Sequence, residues 1–188
     1  MPENFHRVFL WDGKSREKLT VNKIYPPRLQ QGTGRYDIPD QDGVIYCSTS
    51  PVSAVAEILQ GFRGTFITDK VFSRPDGRIR ALANISLSHS ATPLVDLNDP
   101  ETMLRFNLRP SQIATMNRQT TQNTARLIFD SGAIGFTWWS TLEASWTNAV
   151  LFESRVIKHL SIAGNIKRLT TSTQEVIEAS TILKIGLR

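Results

Sequence analysis

Apolar patterning divides this chain into strand-like segments that outnumber the helical ones and do not alternate with them. That order excludes a doubly wound parallel sheet and predicts an α+β fold. Strands are predicted at 5–10 (FHRVFL), 44–47, 79–87, 135–139, 149–153 and 156–168. Within 79–87, Ala83, Ile85 and Leu87 share one face, as a half-buried strand requires. Helices are predicted at 51–62, from Asp99-Pro100 to Phe106, at 119–131 ahead of Gly132, and near 172–183. Ser50-Pro51 gives the first of these a capping hydroxyl and a first-turn proline. No repeat, low-complexity tract or Ser/Gly linker interrupts the 188 residues, so one domain spanning 1–188 is expected.

The polar segment 25–43 is punctuated by Pro26, Pro27, Gly32, Gly34, Pro39 and Gly43 and runs straight into the apolar Val44-Ile45-Tyr46-Cys47. Loops of this length without their own secondary structure are usually functional or disordered, and direct entry into a strand favours function.

Residue types exclude several kinds of site. Three dispersed histidines and one cysteine cannot build the usual zinc shells, so no metal is expected. There is no phosphate loop ending in Lys-Ser/Thr, no dinucleotide fingerprint and no G-x-S-x-G elbow. Cys47, being alone, forms no intrachain disulfide, which fits a reducing compartment. No stretch approaches the roughly 18 apolar residues of a spanning helix, so no membrane association is expected. Near the N-terminus the apolar residues precede Lys14, Arg16 and Lys18, the reverse of a secretory signal, and a cytoplasmic protein is expected. The net charge of +5 and pI near 9.7 favour polyanions: nucleic acid, a dinucleotide or an acidic protein. The basic residues are dispersed, however, and a mildly basic surface without specific meaning accounts for them equally well.

A polar set with regular spacing remains. Arg35 lies in the long loop, Tyr46 follows eleven positions later in a strand, and Glu57 another eleven later in a helix. Val55, Ala56, Ile58 and Leu59 flank Glu57, and a carboxylate among apolar neighbours is often paired or functional when buried. Singly, each residue has an ordinary reading. Glu57 can face solvent from the polar side of its helix, Arg7 can point outward from a strand, and Arg35 can be a loop arginine. Tyr46 can be a core aromatic, and Ser140 a hydroxyl ending the aromatic run Phe136, Trp138, Trp139.

In order along the chain, these residues resemble the RES family, named for its arginine, glutamate and serine. Gly34-Arg35-Tyr36, Val44-Ile45-Tyr46 and Ala54-x-x-Glu57 resemble its first half. Leu94-Val95-Asp96-Leu97 resembles its middle segment, and Thr121-Gln122-x-x-Ala125 its central helix. Gly135-Phe136-x-Trp138-x-Ser140, followed by Asn148-Ala149-Val150-Leu151-Phe152, resembles its serine motif. The resemblance runs from Arg7 to about Phe152. It departs at Trp139, where the family often has proline or a small residue, at Trp138, where tyrosine is more usual, and in Trp146.

The resemblance implies an ADP-ribosyltransferase-like split β-core with flanking helices and NAD held as substrate in a central cleft. It implies hydrolysis or phosphorolysis of the nicotinamide–ribose bond by a toxin, and an antitoxin partner carrying a helix-turn-helix domain. Glu57 would stabilise an oxocarbenium-like centre, with Arg35, Tyr46 and Ser140 as the other catalytic candidates. Arg7, Tyr36 and Asn148 would help to bind the dinucleotide, the arginines through the pyrophosphate. Transfer of ADP-ribose to a macromolecule shares the same cation and pocket. Direct nucleic-acid binding is disfavoured because the aromatics cluster in predicted strands while the basic residues scatter through loops. An inactive family member kept as an interaction protein is a third alternative.

Overall fold

The computed structural model describes residues 3–13, 20–88 and 94–188, so the basic positions Lys14, Arg16 and Lys18 lie outside it. Strands β1 (Glu3–Trp11) and β2 (Val44–Ser48) lead into helix α1 (Pro51–Leu59), capped as expected by the Ser50 hydroxyl, which accepts from the Ser53 amide. The chain continues through β3 (Phe66–Ile67), β4 (Ile79–Leu87), β5 (Val95–Asp96), α2 (Pro100–Arg105), α3 (Pro110–Ile113) and α4 (Arg118–Asp130). It closes with β6 (Gly135–Trp139), β7 (Thr147–Phe152), α5 (Glu153–Val156), β8 (Leu160–Arg168), α6 (Gln174–Leu183) and β9 (Gly186–Leu187).

Seven strands form one mixed sheet in the order β5-β6-β7-β2-β1-β4-β8, and β3 pairs with β9 in a second, two-stranded sheet. The large sheet is split. β1 pairs with β4 from Glu3↔Leu87 to Trp11↔Ile79, and β2 pairs with β7 from Val44↔Phe152 to Ser48↔Asn148. Between β1 and β2, by contrast, the register holds only at His6↔Ser48. The two halves therefore diverge from a single bridge, which is the split α+β core that the resemblance implies. Alternation along the strands distributes the apolar side chains. Phe5 and Phe9 of β1 join Ile45 of β2 and Ile85 of β4 in one core, while Val44, Phe136 and Phe152 form another with Ile128 of α4. A third core lies between α1 and α6, where Val55 and Leu59 meet Val176 and Leu183.

The boundary between the two last predicted strands moves. β7 ends at Phe152, and a short helix with a 3₁₀ turn (Ile157–His159) carries the chain to β8, which starts at Leu160 rather than at 156. The buried Asp42 carboxylate is the reason. It accepts from the Ser154 amide and hydroxyl and so turns the chain, leaving the apolar Val156 buried on a helix rather than on a strand. The short α3 and the paired strands β3 and β9 carry too few residues to show a period and were not predicted.

Candidate active site

A cleft of about 430 Å³ opens where the sheet splits, within the size range of small-molecule sites. It is lined from one side by His6, Arg7 and Val8 of β1 and from the other by Tyr46, Cys47 and Ser48 of β2. Glu57 of α1, Arg35, Asn148 and Trp138 complete its walls, with Met116 and Arg118 at an exposed rim.

Glu57 does not simply face solvent. Its Oε1 accepts from Asn148 Nδ2 at 2.7 Å and from Ser140 Oγ at 3.1 Å, and its Oε2 accepts from Gln60 Nε2 at 3.2 Å. Ser140 is only 2% exposed and sits behind the carboxylate rather than in the cleft lining. Its hydroxyl oxygen also accepts from the Leu142 amide, and its own amide donates to Trp146 O, closing the 140–146 loop. Trp138 lines the cleft; Trp139 packs on the neighbouring core and Trp146 on the α1–α6 core.

Arg35 is delivered by the polar loop, and the element that organises this loop is Asp37. Its buried carboxylate accepts from the Gly32 and Gly34 amides, each at 2.7 Å, and from the Tyr46 hydroxyl at 2.7 Å. The loop is clasped from the other side by α4. Thr121 Oγ1 donates to Arg35 O, and Gln122 Nε2 donates to Gly32 O and Gly34 O. The Thr-Gln pair of α4 thus holds the arginine loop, and Ala125 of the same helix is fully buried in the core with Tyr36 and Ile38. A Cβ on Gly34 would lie 2.3 Å from Asp37 Oδ1. Gly34→Ala is therefore expected to destabilise the fold by about 1–3 kcal/mol as an overpacking change, read as a lower urea midpoint.

The Arg35 guanidinium donates through Nη2 to Ile113 O, whereas its buried Nε has no hydrogen-bond partner among the described residues. Buried unpaired donors are uncommon in folded chains. Arg7 shares the apolar face of β1 with Phe5 and Phe9, and it bridges the divergence by donating to Ile24 O and Tyr46 O. Burial lowers its pKa from the ordinary arginine value.

Tyr46 donates its hydroxyl to Asp37 and accepts from the Tyr36 amide at 2.8 Å. Burial, reinforced by the Asp37 charge, holds that phenol well above its ordinary pKa, so it stays protonated and committed. Its ring is what it offers to the cleft. Tyr36 does not line the cleft. It is fully buried behind it, edge-on to Phe136 and Trp138 with ring centroids 5.0 and 4.7 Å away, and burial pushes its hydroxyl up to about 12.

The structure therefore brings Arg7, Arg35, Tyr46, Glu57 and Asn148 to one cleft, sets Ser140 against Glu57 from behind, and leaves Tyr36 in the core. Asp37, Gln60 and Arg118 were not anticipated. An aspartate two positions beyond Gly-Arg in a glycine-rich loop was the available signal for Asp37, since aspartate readily binds nearby amides in turns. Burial also pushes the Cys47 thiol up to about 12, an effect that the Arg7 charge only partly offsets. Cys47 is accordingly expected to resist iodoacetamide at pH 8 in the folded chain and to react once urea unfolds it; equal labelling rates would contradict its burial.

Among the described residues no helix is long and apolar enough to cross a membrane, and no cluster of three His, Cys, Asp or Glu side chains is placed to hold a metal ion. The family profile described as RES domain matches residues 11–171, a span that includes every site residue above except His6, Arg7 and Val8. The fold is similar to that in the crystal structure of the M. tuberculosis MbcT–MbcA toxin–antitoxin complex, with a TM-score of 0.64 and 14% identity over 98% of this chain and 90% of that one. Comparison with curated proteins gives no match. With the profile covering residues 11–171, most of its length, the chain belongs to the RES-domain family.

Proposed function

We propose that this chain cleaves the nicotinamide–ribose bond of NAD by hydrolysis or phosphorolysis and acts as the toxin of a toxin–antitoxin pair. The observation that carries the reading is a single carboxylate, Glu57, fixed in a cleft that also holds Arg7, Arg35 and Arg118. In this reaction the bond from the ribose anomeric carbon to nicotinamide breaks and its electron pair stays on the pyridine nitrogen. A cationic pyridinium leaves as a neutral molecule, so no general acid is required. The anomeric carbon becomes cationic, and a fixed anion beside it lowers the barrier. The oxygen of water or phosphate then forms the new bond; when water attacks, its proton is released towards Glu57 and solvent.

The remaining residues suit the rest of the substrate. Guanidinium groups match the pyrophosphate oxygens, which suits Arg7 and Arg35 in the cleft lining. The ring of Tyr46 can stack on the nicotinamide or ribose, and Trp138 closes the wall beside it.

The related fold was solved with an antitoxin, and an enzyme that consumes NAD in the cytoplasm needs a restraint. The partner we propose carries a helix-turn-helix domain and is acidic where it meets this basic chain. Incubating the purified protein with NAD labelled in the adenylate part, with and without phosphate, tests the chemistry. Free labelled products with equimolar nicotinamide support cleavage, and a phosphate-dependent rate identifies phosphorolysis. Label on protein would replace the reading with ADP-ribosyl transfer.

A further inference from the structure

The two oxygens of Glu57 stand in different surroundings, and the difference traces to what lies behind the Asn148 amide. An ionised carboxylate only accepts hydrogen bonds, so the end of the Asn148 amide that lies 2.7 Å from Oε1 must be its NH₂ group. The amide oxygen then faces the other way. There it meets two hydroxyls: Ser48 Oγ donates to it at 2.7 Å, and the single Ser53 proton is shared between it at 3.2 Å and Ser48 Oγ at 3.4 Å. All three side chains are buried, with Ser53 at 0%, Ser48 at 3% and Asn148 at 5% exposure.

Their positions follow from the fold. Ser48 and Asn148 are register partners on β2 and β7, Ser48 is also the residue that bridges β2 to β1 at the split, and Ser53 lies in the first turn of α1, one turn before Glu57. On the other side of Oε1 the Ser140 hydroxyl is polarised in the same sense. Its oxygen is occupied by the Leu142 amide, so its proton goes to Glu57.

We infer that Ser48 and Ser53 are positioning residues that fix the orientation of the Asn148 amide, so that Oε1 of Glu57 is held as an anchor and Oε2 is presented to the reacting centre. The assignment rests on the proposed cleavage of NAD for the role of Oε2, but the amide lock itself does not. A reversed amide would put its oxygen 2.7 Å from a carboxylate oxygen, a repulsive contact at a partly buried site. Without the two serine protons the buried amide oxygen is left without a partner, and the side chain loses the bonds that hold its NH₂ group against Oε1. The carboxylate is then no longer held in its place. Asn148 itself works through Glu57 rather than as a direct contact to the dinucleotide.

The test is the Ser48→Ala/Ser53→Ala double variant of the full chain, compared with wild type by side-chain amide NMR and by steady-state release of nicotinamide from NAD. In wild type one Asn148 side-chain proton is expected well downfield and slow to exchange, and Glu57→Gln should move it upfield. In the double variant that signal is expected to collapse towards the free-amide position. Because placing a reacting group about 1 Å off can cost up to about 100-fold, kcat should fall by about 10- to 100-fold. KM should stay within about twofold, since ground-state contacts to NAD are not removed. A double variant that melts cooperatively yet keeps the downfield proton and the wild-type kcat would overturn the inference. If the double variant does not fold, Ser48→Ala and Ser53→Ala alone should each give a partial upfield shift, and two unshifted signals would overturn it equally. Should wild type release no nicotinamide, the amide signal still decides the lock, so failure of the lock and failure of the NAD reading are told apart.

Discussion

Asp37→Ala is expected to unfold the cleft wall and to lower the stability of the chain by about 2–4 kcal/mol, the sum of several partly buried donors left without an acceptor. The buried carboxylate holds the Gly32 and Gly34 amides and the Tyr46 hydroxyl at once, and Gly34 and Tyr46 are themselves partly buried. Arg35 is fixed by this loop, so loss of activity should accompany the loss of stability. Asp37→Asn keeps an amide oxygen that can accept from one or two of the three donors, and its effect should be smaller in both respects. Urea unfolding followed by tryptophan fluorescence measures the first effect. An Asp37→Ala protein as stable as wild type would show that the loop is held by α4 alone, through Thr121 and Gln122.

The largest effect on activity is expected from Glu57→Gln. The glutamine oxygen can still accept from Asn148 and Ser140, so the wall survives and stability should change by less than about 1 kcal/mol. What disappears is the negative charge beside the developing cation. Removal of one preorganised electrostatic partner costs about 100- to 1000-fold in turnover, and that is the fall expected here. Affinity for NAD, measured by isothermal titration, should change much less, because the pyrophosphate and ring contacts remain. A variant that loses binding and turnover together would instead make Glu57 a residue for holding the substrate.

Local chemistry was legible in the sequence. Ser50-Pro51 placed the start of α1, and with it Glu57 on a helix flanked by buried neighbours. The arginine loop was recognisable as a functional loop by its length and by its direct run into β2. What could not be read was how these pieces meet. Ser140 and Asn148 reach Glu57 across 83 and 91 positions, and Thr121 reaches Arg35 across 86. No local period encodes such pairings; they follow from the strand order and the split between β1 and β2. Tyr36 shows the same limit from the other side. An aromatic beside a candidate arginine reads equally as a stacking ring or as core, and its contacts with Phe136 and Trp138 put it in the core. The start of β8 at Leu160 rather than 156 escaped the sequence for a related reason, since the aspartate that turns the chain ahead of it lies 112 positions away from Ser154.

Release of nicotinamide from NAD by wild type and Glu57→Gln, run side by side on chromatographically resolved products, decides whether the cleft cleaves NAD through Glu57. One nicotinamide for every NAD lost is expected with wild type, and a rate lower by at least about 100-fold with the variant. NAD left intact by a folded wild-type protein that binds it, or equal rates from the two proteins, would rule that chemistry out.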